Sequence, residues 1–360
     1  WFAEYYGIVE KRGGFDVIIG NPPYLEVRQI GYEPKGLSTL ESNAVHSMCI
    51  ERSAQVLNAA HGSMSMIVPL SIVCTQRMIG TQAIIENGRT TWYSNFAWRP
   101  GKLFDAVNRA LTIYVARANA APSTYSTGYI KWSSDTREDL FPNLYYQAVS
   151  RKRPSFFVPK HQSPTEASIL DRVLKASKAV AQEVSSQGGK SIYYRTTGGL
   201  YWKVFTDFAP DFQLNGKAGS SSRETHFSLR RADQSDRMVA LLGSNLYWWW
   251  YTITSNLRDL NPTDINGFRY PEGIEKDSDL MRLGKRFIKD IKANSTMLVR
   301  IQKTTGETST QSFKISLSKP ILDEIDTLLA GHYGLSAEEL DFIINYDIKY
   351  RMGSELEGEE

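Results

Sequence analysis

Apolar positions in the first part of the chain alternate between short runs and helical spacings. Residues 15–19, Phe-Asp-Val-Ile-Ile, form a mostly apolar run closed by Gly20. That is the pattern of a buried parallel strand. Residues 38–60 open on Ser38 and Thr39 as N-cap candidates and place Val45, Met48, Cys49, Val56 and Leu57 at helical spacing before Gly62. Arg52 and Ser53 interrupt this apolar face, and the whole predicts a helix with a C-terminal glycine stop. Residues 63–68 read as a strand, 76–87 as a helix, 90–98 as a strand, and 110–117 as a β-rich strand. Strands alternating with helices predict an open, mostly parallel α/β sheet over roughly residues 1–130.

Beyond about residue 135 the texture changes. Residues 164–185 read as one long polar helix, 186–191 as a loop, and 192–205 as aromatic β-prone chain around a Gly198-Gly199 turn. Residues 215–223 read as a flexible polar loop, and 234–253 as a helix containing Trp248-Trp249-Trp250. Consecutive helical residues point to different faces, so the three tryptophans read as packing rather than as a base platform. Residues 277–294 form a basic helix, with Arg282, Lys285, Arg286, Lys289 and Lys292 as a backbone-tracking or solvated face. Residues 318–330 and 336–352 make a helical pair around Gly331 and Gly334, and Ser336 with Glu339 forms a capping box. Glu355, Glu357, Glu359 and Glu360 read as a fraying end. The expected organisation is therefore a sheet domain over 1–134, a second domain over 135–317, and a C-terminal helical segment with an acidic tail over 318–360.

A chain of 360 residues, 41% apolar and 22% charged, has the composition of a folded protein of about two domains. No run of 18 apolar residues occurs. The start, Trp1-Phe2-Ala3-Glu4, reads as part of a longer protein. Cys49 and Cys74 are too few for a disulfide framework or a cysteine zinc site, and they fit a reducing cytoplasm. His46, His61, His161, His226 and His332 are scattered and form no HExxH pattern, so no metal site is expected. Nor does a GxSxG elbow support a serine nucleophile. Residues 336–360 hold eight acids and two bases, which leaves 40 bases and 31 acids, a net charge of +9, on residues 1–335. A basic body with 12% aromatic residues suits a polyanion whose bases can be stacked upon.

The sharpest feature is Asn21-Pro22-Pro23-Tyr24, directly after the first strand. Such a pattern arises by chance roughly once in a hundred chains of this length. The carboxyl end of a sheet strand is where α/β proteins bind ligands. An exocyclic amine on a nucleobase is a poor nucleophile, because its lone pair is delocalised into the ring. The Asn21 side-chain oxygen can accept one amino N–H and the Pro22 carbonyl the other, since Pro23 keeps the preceding backbone extended. Two acceptors favour a more pyramidal nitrogen. Tyr24 offers a flat face for an extruded base. A rigid Pro-Pro turn is the alternative.

The stretch GFDVIIGNPPY resembles motif IV of the gamma-class, S-adenosylmethionine-dependent N6-adenine DNA methyltransferases. RPGKLFDAVNRALTIYVAR, residues 99–117, resembles the region that ends the family's catalytic sheet and supplies an aromatic against the flipped adenine. Phe104 is the best match for that aromatic and Phe96 the second choice. TTGGLYWKVF and MVALLGSNLYWWWYTITSNLRDLNPTDI look like target-recognition domains of bacterial restriction-modification proteins. ILDEIDTLLAGHYGLSAEELDFIINYDIKYR is similar to the C-terminal helices of type IIG enzymes, which join nuclease, methyltransferase and recognition domain in one chain. The resemblance implies the carboxyl-terminal half of a Rossmann-like methyltransferase sheet, then an α+β recognition domain. It also implies double-stranded DNA as partner, with Asn21, Pro22, Pro23, Tyr24 and Phe104 at the base and Asn21 also facing S-adenosylmethionine.

One departure stands out. The family holds the cofactor with a glycine-rich strand-to-helix turn and an acidic residue on the next strand. Neither is found before Asn21: Gly13-Gly14 precedes a strand, not a helix. The expectation is a chain that lacks the main cofactor pocket, is inactive alone, and works with a further N-terminal methyltransferase or nuclease portion. In the second half, Arg195, Lys203, Arg223, Arg230, Arg231 and Arg258 are the candidates for DNA contact. A non-catalytic DNA-specificity module and a cytosine-N4 methyltransferase are the rival readings.

Overall fold

The computed structural model describes residues 2–32, 34–150, 156–198, 202–302 and 306–352. Gly199 of the expected glycine turn and the glutamates beyond Met352 lie outside them. The chain packs as two compact units, residues 1–164 with 252–256, and residues 165–251 with 257–360. The strip 135–164 thus packs with the first unit, and the C-terminal helices pack within the second.

The first unit runs α1 (Phe2–Val9), β1 (Val17–Gly20), α2 (Val45–Val56), β2 (Ser63–Pro69), α3 (Ile79–Glu86), β3 (Arg89–Phe96), β4 (Leu111–Ala118), β5 (Thr124–Ile130) and β6 (Gln147–Ala148). The strands form one six-stranded sheet in the order β1-β2-β4-β3-β5-β6. The α/β class is as expected, but the sheet is mixed rather than mostly parallel. β1 pairs with β2 and β3 with β5 in parallel, while β4 runs antiparallel to both β2 and β3, and β6 to β5. The connection from β3 to β4 contains no helix that could cross over a face of the sheet, and parallel neighbours are usually joined by such a helix.

Side chains alternate across the sheet. Met64, Met66, Val68, Tyr114 and Ala116 face a core that Ile50 of α2 and Ile85 of α3 complete. β1 departs from the expected buried strand. It is an edge strand, its Ile18 packs on that core, and its other face is open, with Val17 60% and Ile19 79% exposed. An apolar run therefore marked a strand without marking two covered faces. The helix expected over 38–60 is shorter. Ser38–Ser42 is a 3-10 turn, Asn43 takes a left-handed conformation with φ 54°, and α2 begins only at Val45 and ends at Val56.

The second unit runs α4 (Pro164–Lys175), β7 (Lys178–Ala179), β8 (Val184–Ser185), β9 (Lys190–Arg195), β10 (Phe205–Thr206), β11 (Phe212–Leu214), β12 (Lys217–Ala218), β13 (Glu224–Leu229), α5 (Ser235–Gly243), α6 (Asn245–Thr254), α7 (Pro262–Asn266) and β14 (Arg269–Tyr270). It continues with α8 (Ser278–Ala293), β15 (Ser295–Gln302), β16 (Gly306–Phe313), α9 (Lys319–Tyr333), α10 (Ala337–Asn345) and α11 (Ile348–Met352). Two antiparallel four-stranded sheets, β10-β9-β13-β8 and β12-β11-β16-β15, accompany the helices. The long helix expected over 164–185 stops at Lys175, because Lys178–Ala179 pairs with β14 instead. The loop expected over 215–223 begins as a hairpin, with Asn215 (φ 50°) and Gly216 (φ 75°) turning between β11 and β12. The helix expected over 234–253 breaks at Ser244, which is extended.

α5 and α6 form the centre of this unit. Met238–Leu242 and Leu246–Tyr251 are buried, and all three tryptophans are 4% exposed or less. α8 crosses α5 closely at Gly284, where a Cβ would lie 2.0 Å from the Asp236 carbonyl oxygen. Asp326 of α9 accepts hydrogen bonds from the Asn245 and Leu246 amides at 3.0 Å each, satisfying the open amino end of α6. The capping box of α10 forms as expected, with Ser336 accepting from the Glu339 amide.

Candidate active site

The motif Asn21-Pro22-Pro23-Tyr24 leaves β1 at its carboxyl end as extended chain. Asn21 and Pro23 are exposed, Pro22 is buried and Tyr24 half-buried. The Tyr24 hydroxyl donates to the Ile67 carbonyl of β2 at 3.1 Å, which fixes the ring by its far end. The ring packs with a second apolar cluster around Phe96, Leu103, Leu111, Trp132 and Leu140. Burial pushes the Tyr24 phenol up to about 12 against the opposing pull of Arg109, so it stays neutral. Just downstream, the chain is clipped to the start of α2. The Val45 amide donates to the Leu25 carbonyl at 3.0 Å, and the Val27 amide to the Asn43 carbonyl at 3.2 Å.

The structure separates the two aromatic candidates. Phe96 is fully buried at the end of β3, with its ring 5.8 Å from that of Phe141. It could meet a base only by unpacking the core. Phe104 is 38% exposed on the loop between β3 and β4, while its neighbours Leu103 and Val107 turn into the cluster that holds Tyr24.

Three polar side chains that sequence reasoning left without a role surround the motif. His46, on the first turn of α2, is 4% exposed, and neither ring nitrogen has a hydrogen-bond partner among the described residues. Burial, helped by Arg77 and Arg109, depresses its pKa to about 4. Arg77 is engaged by Glu26 at 3.3 Å, and Glu26 also holds Arg28 at 3.0 Å. Arg109 acts on both Tyr24 and His46, which ties the Phe104 loop electrostatically to the motif. No spacing in the sequence announces these three, because they come from three separate elements.

The glycine pair nearest the motif in sequence does not form a cofactor-binding turn. Gly13 and Gly14, the only paired glycines near the motif, have φ of 73° and 122° and end α1, with the Gly14 amide donating to the Ile8 carbonyl. A Cβ on Gly14 would lie 2.6 Å from the Asn58 amide nitrogen and 2.7 Å from the Val56 oxygen. That turn is packed against the end of α2 and has no room for a ligand. Among the described residues, no three His, Cys, Asp or Glu side chains gather as a metal site, and no helix is long and apolar enough to cross a membrane.

The six basic candidates of the second unit fall at opposite ends of β13, a strand of six residues and so about 20 Å. At one end Arg195 stands in register with Glu224, the Thr196 amide donates to the Arg223 carbonyl at 2.8 Å, and Thr197 bridges to Asp259 beside Arg258. Lys203 joins them: its ammonium donates to the Gly198 carbonyl at 3.1 Å and lies 5.0 Å from the Tyr251 ring. Burial lowers its pKa to about 8, with Asp259 and Asp264 pulling the other way and Arg195 adding to the fall. At the other end Arg230 donates to the Gln182 carbonyl, and Arg231 is held by both oxygens of Asp233 at 3.2 and 2.7 Å. The basic face of α8 is largely answered by acids, since Arg282 meets Asp279, Arg286 meets Glu324 and Lys285 approaches Asp236.

Residues 1–97 match the family model of the Eco57I restriction-modification methylase. No curated protein matches the chain. Among solved structures, the chain is similar to the type IIL restriction-modification enzyme MmeI in complex with DNA, at 10% identity and a TM-score of 0.48 over 93% of this chain and 57% of that one. It is also similar to the type ISP enzyme LlaBIII bound to DNA, at 9% identity and a TM-score of 0.38 over 94% and 36%. A third is the type ISP enzyme LlaGI with a DNA substrate mimic, at 13% identity and a TM-score of 0.33 over 56% and 22%. The chain spans less than two thirds of the length of each.

Proposed function

We propose that this chain supplies the target-base wall and the DNA-recognition part of a site-specific DNA methyltransferase of a restriction-modification system, acting on adenine N6. The observation that carries the reading is the exposed Asn21 at the carboxyl end of β1, followed by a tyrosine whose ring is fixed beside it. It is supported by the match of residues 1–97 to a restriction-modification methylase family. The Asn21 side-chain oxygen and the Pro22 carbonyl accept the two amino hydrogens of an extruded base. The ring of Tyr24 has its hydroxyl occupied by Ile67, so it can contribute only its face and edge, and on this reading Phe104, partly exposed on the loop after β3, covers the base. The amine needs no general base beforehand, since its proton can leave after the nitrogen has been alkylated.

S-adenosylmethionine is the methyl donor that the resemblance implies, and Asn21 is the residue nearest to that role. The glycine pair before the motif is filled by the end of α2, and on this reading the chain alone should take the cofactor up weakly and transfer no methyl group. Isothermal titration of the 360-residue chain with the cofactor tests this, and one micromolar site per chain would refute it. In the second unit Arg195, Lys203, Arg223 and Arg258, at one end of β13, form the DNA-facing group. Arg230 and Arg231 sit apart from it. In the full-length protein Asn21→Ala should abolish tritium transfer from labelled cofactor to unmethylated DNA, with DNA affinity unchanged within a few fold. Near-normal turnover would remove Asn21 from the mechanism. Methyl label recovered on cytosine N4 would move the substrate assignment.

A further inference from the structure

The loop that carries Phe104 has little regular structure of its own. Residues 97–110 join β3 to β4 without a helix or strand, and the internal backbone bond near the aromatic is the Val107 amide donating to the Phe104 carbonyl at 3.1 Å. Leu103 and Val107 anchor it from below. Apolar anchors hold a loop in place but fix its rotation poorly, because dispersion and burial carry no direction.

Directional restraint comes from the segment after β5. The Arg137 guanidinium donates through Nη1 to the Lys102 carbonyl at 3.3 Å and through Nη2 to the Leu103 carbonyl at 3.0 Å. These are the two carbonyls immediately before Phe104. The same guanidinium lies 5.4 Å from the centre of the Trp132 ring. Trp132 itself grips the loop one residue earlier. Its carbonyl accepts from the Gly101 amide at 2.7 Å, and a Cβ on Gly101 would come within 2.9 Å of the indole. Within the loop, Lys102 donates to Asn108 at 3.2 Å. Three consecutive residues, Gly101, Lys102 and Leu103, are thus tied to Trp132 and Arg137, and the next residue is the exposed aromatic.

We propose that Arg137 is a positioning residue for Phe104: its two-pronged bond to the carbonyls of residues 102 and 103 sets the direction in which the aromatic meets the target base. The inference rests on the reading of Phe104 as the base-covering ring. A planar fork with fixed donors suits the role, because a lysine could satisfy one of the carbonyls but not both at a set angle.

The test is a double-mutant cycle in the full-length protein, measuring kcat and KM for unmethylated phage DNA by tritium transfer from labelled S-adenosylmethionine. Phe104→Ala should lower kcat, and Arg137→Ala should lower it about tenfold, the loss expected when roughly one charge-assisted hydrogen bond stops contributing to the transition state. Arg137→Lys should recover part of the loss. DNA affinity by gel shift should stay within twofold for all three. In the Phe104→Ala background, Arg137→Ala should cost nothing further, because its effect runs through the ring. If Phe104→Ala leaves kcat unchanged, the reading of Phe104 fails and takes this inference with it. If Phe104→Ala slows transfer while Arg137→Ala does not, the inference alone fails. Effects that multiply in the double variant would also overturn it, since they would show Arg137 supporting the fold at large.

Discussion

Acid should destabilise the first unit, and the structure says by how much and through which groups. His46 and His161 are 4% and 3% exposed, and burial is the leading cause that brings each pKa from 6.5 to about 4. In the unfolded chain both rings titrate near 6.5. Between the two values the unfolded state holds protons that the folded state refuses. Stability therefore rises with pH through this window and is lost as pH falls from about 6.5 toward 4. A shift of about 2.5 units is worth about 3 kcal/mol per ring, an upper figure because compact denatured states already shield part of the chain. Two such rings amount to a large fraction of a typical stability of roughly 5–15 kcal/mol. For His46 a proton would also add charge beside Arg77 and Arg109.

Urea unfolding of the chain at pH 7.5, 6, 5 and 4.5 should show the first transition moving to lower urea at each step. The five histidine ring-proton resonances, followed by NMR, should include two that do not titrate above pH 5. His46→Phe should flatten the pH dependence and keep or raise stability at pH 7.5, since it removes two buried ring nitrogens that lack partners. A His46 resonance titrating near 6.5, or a His46→Phe variant with the full pH dependence, would refute the argument.

Two further outcomes are expected. Arg195→Ala and Arg223→Ala should each reduce the slope of log affinity against log salt for duplex DNA by about 1, whereas Arg231→Ala should leave it unchanged because it lies at the other end of β13; equal slopes for all three variants would argue against the grouping at one end of β13. Gly14→Ala should destabilise the first unit by at least about 3 kcal/mol, read as a drop in its urea midpoint, because the left-handed backbone and the contacts near 2.6 Å with backbone of Leu57 and Asn58 leave a methyl group nowhere to go.

Much of the first unit was legible in the sequence, because its strands are short, apolar and bounded by turn residues. Ser63–Pro69, Arg89–Phe96 and Leu111–Ala118 stand within a residue or two of where the pattern put them. What the pattern could not carry is pairing. Leu111–Ala118 reads as a strand in either direction, and its antiparallel insertion between β2 and β3 makes the centre of the sheet mixed. Burial was equally hidden for Val17 and Ile19, whose hydrophobicity says nothing about whether a layer covers them. In the second unit some local signals were present and went unused. Asn215-Gly216 is a strong hairpin dipeptide, and its neighbours do form β11 and β12. The antiparallel pairing of β15 with β16 was not anticipated, and these strands alternate only loosely. For the proposed site, residue type and position pointed to Asn21 and Tyr24 and put Phe104 ahead of Phe96, an order that burial also favours, whereas the placement of His46, Arg109 and Arg137 needed three dimensions.

The arrangement around the motif has a physical logic of its own. Asn21, Tyr24 and Phe104 all sit on irregular chain, where backbone ladders contribute nothing to rigidity, yet the proposed reaction at an amine would tolerate little misplacement. Tyr24 and the Phe104 loop are each steadied by directional bonds to chain outside their own segment. Tyr24 is tied to the Ile67 carbonyl of β2, the chain after it is bonded to the first residues of α2, and the Phe104 loop is forked to Arg137 and held by Trp132. The sheet supplies the strand ends, and a handful of polar bonds set the angles between them. A substitution far from the base can then act as strongly as one that touches it. Loss of the Tyr24 hydroxyl would leave the ring in its apolar cluster but free to rotate about that anchor, so Tyr24→Phe separates packing from direction. Fold stability should change by no more than about 1.5 kcal/mol, the net worth of one neutral hydrogen bond. Turnover should fall further than stability does if the angle of the ring is what the reaction requires, and equal falls would show that the hydroxyl serves the fold alone.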